Sequence, residues 1–568
     1  MGNTNKFDDL LTTLGTGRWN ILVFMSVGYW QMHLVSNVLS GVFVAPAVNH
    51  TCLPPDHGYT LTSYTFTPSG KNITTANHCS YYTNETKDGT FQDKECTDWE
   101  YDNSTYSLTL TSQFDLVCSS EYLRATYQSL YMFGTLFGAP INGLVSDRYG
   151  RKLTLTLAVL TYFSLAMATS WLTTLASILA FRFILGFLHP AILQSGYILA
   201  LEVTEPRYRA AVGILLSLTW AMGTMAWGGV AYLIRDWRWL QLAVNLPSLF
   251  IFPVLWFLDE SPRWLIVHGK FERASKTLVK AARWHKVTLP PSEDLQTLMH
   301  SIREESTTTK KVVREEGVRT YKQKAWRYLL RLLILFRTPK LRLFTFILCL
   351  NFLLVAFIFY GMSLNAVNYS ADPFLYTVLS GVVEMPAYIV TAVIVSYLGR
   401  KWPSIVLFFI SGIVIVAAAF IPTGMNTVVI VLALMGRMCI CCGYQVIYLY
   451  CVELFPTEVR LQGIGYCTIM SRIGSILSPF ITDLLGPLYP SAPSLVFGLC
   501  AIVASLTTLL LPETLGRKLP DTITDLEDKL TDTIRMEKRG DDDEECQTEG
   551  EGDGAAEMEE EELAKLRA

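Results

Sequence analysis

Gly143-Leu-Val-Ser-Asp147-Arg148-Tyr-Gly150-Arg151-Lys152 sits between two long apolar runs, and a shorter echo, Tyr397-Leu-Gly399-Arg400-Lys401, sits between two others. The likeness continues along the chain. Glu202-Val-Thr-Glu205-Pro-Arg207-Tyr-Arg209 is answered by Glu453-Leu-Phe-Pro-Thr-Glu458-Val-Arg460, and Asp259-Glu260-Ser-Pro-Arg263 by Pro512-Glu513-Thr-Leu-Gly516-Arg517. The offsets are 249 residues for Arg151 to Arg400, 251 for Glu202 to Glu453 and 253 for Glu260 to Glu513. Three charged motifs that recur in order at nearly one spacing mark an internal duplication.

The runs between the motifs are membrane spans. The chain has 568 residues, 51% hydrophobic and only 17% charged, with a mean hydropathy of +0.31. Soluble domains carry about 25% charged residues. Apolar segments fall at about 21–45, 125–146, 153–172, 174–200, 211–233, 239–258, 342–362, 374–398, 403–421, 427–452, 462–485 and 491–511. Each is near the ~20 residues that a helix needs to cross a bilayer. The first starts after Arg18 and lacks a small-residue cleavage site, so it reads as a span and not as a signal peptide. The expected architecture is all-α, with twelve transmembrane helices in two six-helix bundles.

Lys and Arg set the orientation. The loops holding Lys6, Arg18, Arg148, Arg151, Lys152, Arg207, Arg209, Arg400, Lys401 and Arg460 share one side with the basic stretch 265–341, whereas the opposite short loops hold little beyond Arg235 and Arg238. Both termini and the 265–341 loop are therefore expected to be cytoplasmic. The division is a cytoplasmic N-terminus 1–20, a first bundle 21–264 with a long outer loop 47–123, the loop 265–341, a second bundle 342–511 and a tail 512–568. The net charge of −4 conceals this layout: residues 541–568 carry thirteen acids against Lys565 and Arg567, a balance of −11, which leaves the remainder at +7. A tail of that composition is expected to be disordered from 540. The basic residues form no folded soluble patch, so nucleic acid is not an expected partner.

The outer loop tests the orientation separately. It holds sequons at Asn49, Asn72, Asn84 and Asn103, and a further one, Asn368, lies between spans seven and eight. Its four cysteines, Cys52, Cys79, Cys96 and Cys118, fit two disulfides in any of three pairings. The run Cys439, Cys441, Cys442 lies inside an apolar helix without His or carboxylate neighbours in sequence, so it reads as packing and not as a metal site. No catalytic constellation and no Gly-x-x-x-x-Gly-Lys-Ser/Thr phosphate loop occurs. Neither an enzyme nor a cofactor is expected.

Gly143 to Lys152 matches the Gly-x-x-x-Asp-Arg/Lys-x-Gly-Arg-Arg/Lys signature of the major facilitator superfamily. The large first outer loop, Asp-Trp-Arg-Trp-Leu-Gln at 236–241, Asp-Glu-Ser-Pro-Arg-Trp-Leu at 259–265, Glu-Leu-Phe-Pro-Thr at 453–457 and Leu-Pro-Glu-Thr-Leu-Gly at 511–516 narrow the resemblance. From about residue 7 to 530 the chain resembles the organic cation, anion and zwitterion transporters. The resemblance implies the major facilitator fold and polyspecific carriage of small organic ions across the plasma membrane, by alternating access from a central cavity. Without ATP, transport runs on the substrate gradient, on exchange, or on a co-transported Na⁺ or H⁺. The charged motifs, with Asp147, Arg148, Arg151, Glu202, Arg209, Glu260, Arg263, Arg400, Glu453, Arg460, Glu513 and Arg517, are expected to pair between helices and bundles as a cytoplasmic gate that holds an outward-open state.

Ionisable residues deep in spans are functional candidates because burying them in a bilayer is costly. Glu384 lies about 16 Å along span eight from Pro373, and Arg472 about 18 Å along span eleven from Arg460. Arg437 lies in span ten and Arg182 in span four. In the family pattern cation carriers tend to have Asp at the position of Arg472, whereas anion and carnitine-type carriers have Arg. Glu384 resembles cation and carnitine carriers, and anion carriers often have Lys in place of Tyr388. An acid for ammonium beside a guanidinium for carboxylate suits an organic cation or a carnitine-like zwitterion, with an organic anion exchanger as the alternative. A structural Glu384–Arg472 pair would leave neither charge for a ligand. Trp220, Trp227, Tyr360, Tyr388 and Tyr448 are candidate aromatic contacts for a cation. His33 is a candidate proton site, though a packing role suits it better.

Overall fold

The computed structural model describes residues 6–53, 79–83, 92–314, 334–369, 372–422, 425–486 and 488–516, with positions 520, 522, 523 and 526. Asn72, Asn84, Arg517 and the acidic tail lie outside the described residues, as does the side chain of Asn368.

The long helices are Arg18–Val38, Tyr122–Tyr149, Arg151–Ala168, Leu175–Glu202 and Arg209–Leu233 (spans one to five), a broken segment 237–257 (span six), then Pro339–Leu364, Pro373–Leu398, Lys401–Ala419, Asn426–Leu454, Arg460–Phe480 and Ala492–Thr508 (spans seven to twelve). Eight helices among the described residues are long and apolar enough to cross a membrane by themselves. The other four depart for local reasons. Span one carries buried polar groups: Asn37 Nδ2 donates to Asn245 Oδ1 at 2.8 Å and Asn37 Oδ1 accepts from Gln241 Nε2 at 2.8 Å, tying it to span six. Such side-chain hydrogen bonds join helices where lipid offers no hydrophobic drive. Span two carries Gln128, Thr135, Pro140 and Asn142 within its length. Span six, expected as one helix over 239–258, is two helices, Trp237–Asn245 and Phe252–Phe257, around a 3₁₀ segment Leu246–Ile251 containing Pro247. Span twelve has 17 residues.

The packing repeats as the sequence does. Span one packs on five and span two on four; in the second half span seven packs on eleven and eight on ten. The halves meet where span five lies against eight and span two against eleven.

The stretch 265–341, expected as a loop, contains Phe271–His285 and Ser292–Arg314, and a short helix Pro262–Val267 precedes them. These pack on one another and on the N-terminal helix Lys6–Leu14, where His285 Nδ1 meets Leu14 O at 2.9 Å.

At the opposite end, the loop after span one forms two antiparallel pairs, His50–Leu53 with Asp98–Tyr101 and Ser80–Thr83 with Gln92–Glu95. Of the three disulfide patterns open to the sequence, the structure has Cys52–Cys96 and Cys79–Cys118. Asn49 and Asn103 are exposed there. We call this the loop end and the other the motif end.

Candidate substrate site and gates

The motif end is built twice from one design. Glu260 accepts backbone N–H groups of Arg151 (2.8 Å), Lys152 (3.0 Å) and Ser261 (3.0 Å). Glu513 accepts those of Arg400, Lys401, Thr514 and Leu515 at 2.8–3.0 Å. Each carboxylate therefore caps the exposed N–H groups that open a span, three or nine. Burial would raise the Glu513 carboxyl, but those four donors outweigh it and hold the group below the ordinary carboxylate range. The turn glycines belong to the same device. Gly150 (φ +111°) and Gly399 (φ +83°) adopt backbone that favours glycine, and a Cβ on either would collide with the Glu260 or the Glu513 carboxylate.

The arginines pair within their own half. Arg151 bridges Asp147 (2.9 Å) and Glu202 (3.3 Å), and Arg400 binds Glu453 (2.8 Å), whose other oxygen accepts from Thr514 at 2.6 Å. Arg209 reaches Asp8 at 2.6 Å, Arg263 lies over the Phe7 ring and Arg148 over Tyr149. Arg460 donates to Phe455 O and Thr457 Oγ1. The ion pairs of Arg151, Arg209 and Arg400 each close within one half. The expected bundle-to-bundle gate is thus a pair of clamps within the halves in this conformation.

The join lies instead at the loop end. Arg124 of span two is held by Glu121 (2.9 Å) and reaches Asp483, just beyond span eleven, at 3.5 Å. Ser129 donates to Ile476 O at 2.7 Å, and Phe43 stacks on Phe374 at 5.0 Å and 11°. These contacts cross from the first half to the second and tie the halves together at the loop end. Arg124 and Asp483 sit at span ends, where a rule for ionisable residues deep in spans does not reach; their opposite charges at one membrane face were the available signal.

Within the membrane, Glu384 pairs with Arg437 and not with Arg472. Arg437 Nη2 and Nε donate to Glu384 Oε1 at 2.5 and 3.1 Å, its Nη1 donates to Ser363 at 2.6 Å, and its guanidinium lies over the Phe359 ring. Both charges are sealed inside the second half, 0% and 1% exposed. Tyr388 is buried beside Glu384. The acid expected to attract ammonium is already neutralised.

Arg472 is left apart. It is partly exposed, lies within electrostatic reach of Tyr360, and its Nε has no hydrogen-bond partner. Among the described residues no carboxylate pairs with it. Its field reaches Tyr131 and His189 of the first half, so it stands where the halves meet. There Tyr131 Oη lies 2.8 Å from Tyr162 Oη and 2.9 Å from His189 Nδ1, while Arg182 lies over the Tyr127 and Tyr131 rings. Sequence reasoning passed over His189, although a histidine inside span four was the signal.

The remaining aromatics divide. Trp227 is fully buried, donating to Leu39 O at 3.2 Å and packing on Phe43, so it serves the loop-end closure and not a cavity. Trp220 is half-buried, and Tyr448 is exposed against Phe352. His33 meets Val244 O at 3.0 Å and packs between Tyr29 and Phe163, which is a packing role. Cys442 donates to Ala387 O. His50 lies beside Cys79 and Cys118, whose sulfurs the disulfide already occupies.

Residues 66–525 match the family described as Sugar (and other) transporter. Solute carrier family 22 member 6-A of Xenopus laevis is 33% identical over 77% of this chain and 75% of its own length. The organic cation transporter protein of Drosophila melanogaster is 30% identical over 91% of this chain and 94% of its own. Organic anion transporter 3 of Pongo abelii is 30% identical over 92% and 93%. Among solved structures, the xylose transporter XylE from E. coli in its inward open conformation aligns with a TM-score of 0.55 at 16% identity, covering 72% of this chain and 89% of that one. At that identity the likeness speaks for the fold alone.

Proposed function

From a chain that belongs to the organic-ion transporters of solute carrier family 22, within the sugar (and other) transporter family, we propose that this protein carries small organic anions bearing a carboxylate across the plasma membrane. It is a multi-pass membrane transporter of the major facilitator fold. One observation carries the choice of charge: Glu384 is paired through one oxygen with Arg437 and sealed from solvent, its other oxygen buried without a hydrogen bond, whereas Arg472, at the seam between halves and partly exposed, has no acid partner among the described residues. A guanidinium there offers a carboxylate two parallel hydrogen bonds in a setting of low dielectric. Tyr360 and the Tyr131–His189 pair, all within electrostatic reach of Arg472, supply polar neighbours.

Alternating access follows from the two ends. With the motif end read as cytoplasmic, the Arg124–Asp483 and Phe43–Phe374 contacts close the outer side and leave release toward the cell interior. The clamps on Glu260 and Glu513 keep each half rigid while the halves rock. Exchange against an intracellular anion, or a co-transported ion, would drive net movement.

A zwitterion of the carnitine type is the second reading, since Arg472 can hold its carboxylate and the aromatics its ammonium. Uptake of radiolabelled p-aminohippurate, carnitine and tetraethylammonium into one expressing cell line separates the readings. Accumulation of p-aminohippurate is expected; accumulation of tetraethylammonium alone would overturn the proposal.

A further inference from the structure

We infer that the motif end carries a binding site for an anionic phospholipid, seated outside the first half between spans two, three and six. Two adjoining cavities have the shape of an amphiphile. The first, about 810 Å³, opens between the start of span three, the end of span six and the helix Phe271–His285, and Lys152, Lys270, Arg273 and Lys276 line it. The second, about 440 Å³, is an apolar groove along spans two to four, walled by Val145, Leu157, Ala158, Leu188 and Ala191. Tyr149 and Leu153 line both, so the basic cavity continues into the groove. From Leu153 to Thr161 the groove follows span three for about 12 Å toward the bilayer interior.

The charge balance favours an anion. Asp259 and Glu260 also line the basic cavity, but both are engaged. Asp259 binds Lys280 at 2.7 Å and the Trp19 N–H at 3.0 Å, and Glu260 caps span three. Lys276 is tied only to exposed Glu272, a solvent-screened pair, and Lys270 lies over the Trp264 ring at 4.4 Å. The outer walls are apolar and open to the side, with Trp256, Phe257 and Leu157 exposed. A basic mouth at a helix end that runs into a lateral apolar groove fits a headgroup phosphate with an acyl chain below it. A soluble phosphorylated solute would leave the groove unfilled. This end is the one read as cytoplasmic, and anionic lipids are concentrated in the cytoplasmic leaflet.

The site adjoins Glu260, which caps span three, so an occupied site would brace the first half's clamp. Its occupancy does not depend on which substrate is carried. The test is native mass spectrometry of the full chain extracted from nanodiscs of equimolar phosphatidylserine and phosphatidylcholine. Wild type is expected to retain phosphatidylserine over phosphatidylcholine by at least about tenfold. The Lys152→Gln/Lys270→Gln/Arg273→Gln variant should lose that preference, and the charge-conserving Lys152→Arg/Lys270→Arg/Arg273→Lys variant should keep it, which separates charge from folding. Thr161→Trp, filling the groove from its exposed wall, should lower retention of both lipids. Equal retention of the two lipids by wild type, or an unchanged preference in the Gln variant, would overturn the proposal. So would displacement of the lipid by soluble inositol trisphosphate together with an unaffected Thr161→Trp, since that pattern identifies a headgroup site without a chain.

Discussion

Arg437 holds Glu384 at 2.5 Å inside the second half, the two side chains being 1% and 0% exposed. Breaking such a pair leaves one charge stranded in a medium that solvates it poorly, at a cost of about 3–5 kcal/mol, whereas replacing both partners with apolar residues can be nearly neutral. Glu384→Leu should therefore lower the thermal stability of the purified transporter markedly, and Glu384→Leu/Arg437→Leu should recover most of the loss. Equal losses in the single and double variants would show that the two charges do not compensate each other.

The loop-end join makes a conformational prediction. Ser129 lies in the span two–eleven contact, 5% exposed, close to where Arg124 meets Asp483. Asp483→Asn removes the cross-half charge pair and should shift the population toward loop-end-open states. A cysteine introduced at 129 should then react several-fold faster with a membrane-impermeant maleimide than it does with Asp483 intact. Unchanged labelling would mean that the stacking of Phe43 on Phe374 closes this end without help from the pair.

Much of this was legible in the sequence because it rests on repetition and periodicity. The offsets of 249 to 253 residues predicted that motifs after corresponding spans would be equivalent, and Glu260 and Glu513 do cap corresponding helix starts. Twelve spans followed from apolar length, and the family followed from the motifs. Pairing was not legible. Glu384 has two arginines within reach by depth along the spans, and only the lateral packing of span eight on ten chooses Arg437. For the same reason the motifs suggested contacts between bundles, whereas their geometry closes within each half. The break in span six was signalled by Pro247, but the apolar run on both sides of it reads as one continuous span. The helices in 265–341 are hard to read because the stretch is rich in charge, although Phe271–His285 buries one face.

Glu513 gives a pH dependence. Its carboxyl is held below the ordinary value by four N–H donors, so its contribution is present above the unfolded carboxylate pKa and is lost as pH falls through the folded one. Hydrogen bonds to a charged group contribute about 1.5–3 kcal/mol. Glu513→Gln should be less stable than wild type at neutral pH, and the gap should narrow as the solution is acidified below the normal Glu range. Thermal unfolding in detergent across that range measures it; a gap that stayed constant would show that the charge is not what the cap uses.

The loop disulfides close segments with sequence separations of 44 and 39 residues. Removing either is expected to cost about 2–5 kcal/mol in that loop. Non-reducing peptide mapping should recover Cys52 with Cys96 and Cys79 with Cys118. The paired variants Cys52→Ser/Cys96→Ser and Cys79→Ser/Cys118→Ser should each raise proteolysis of the loop in intact cells. A peptide joining Cys52 to Cys118 would contradict the pairing.

Arg472 is the centre of the functional reading, and reversing its charge tests that reading most directly. The measurement is initial uptake of p-aminohippurate and tetraethylammonium by wild type and Arg472→Asp at matched surface expression. Uptake of p-aminohippurate is expected to fall at least about tenfold, the discrimination expected when a charge-assisted pair is replaced by like charges, while tetraethylammonium uptake holds or rises. Retention of p-aminohippurate uptake by Arg472→Asp would contradict that reading.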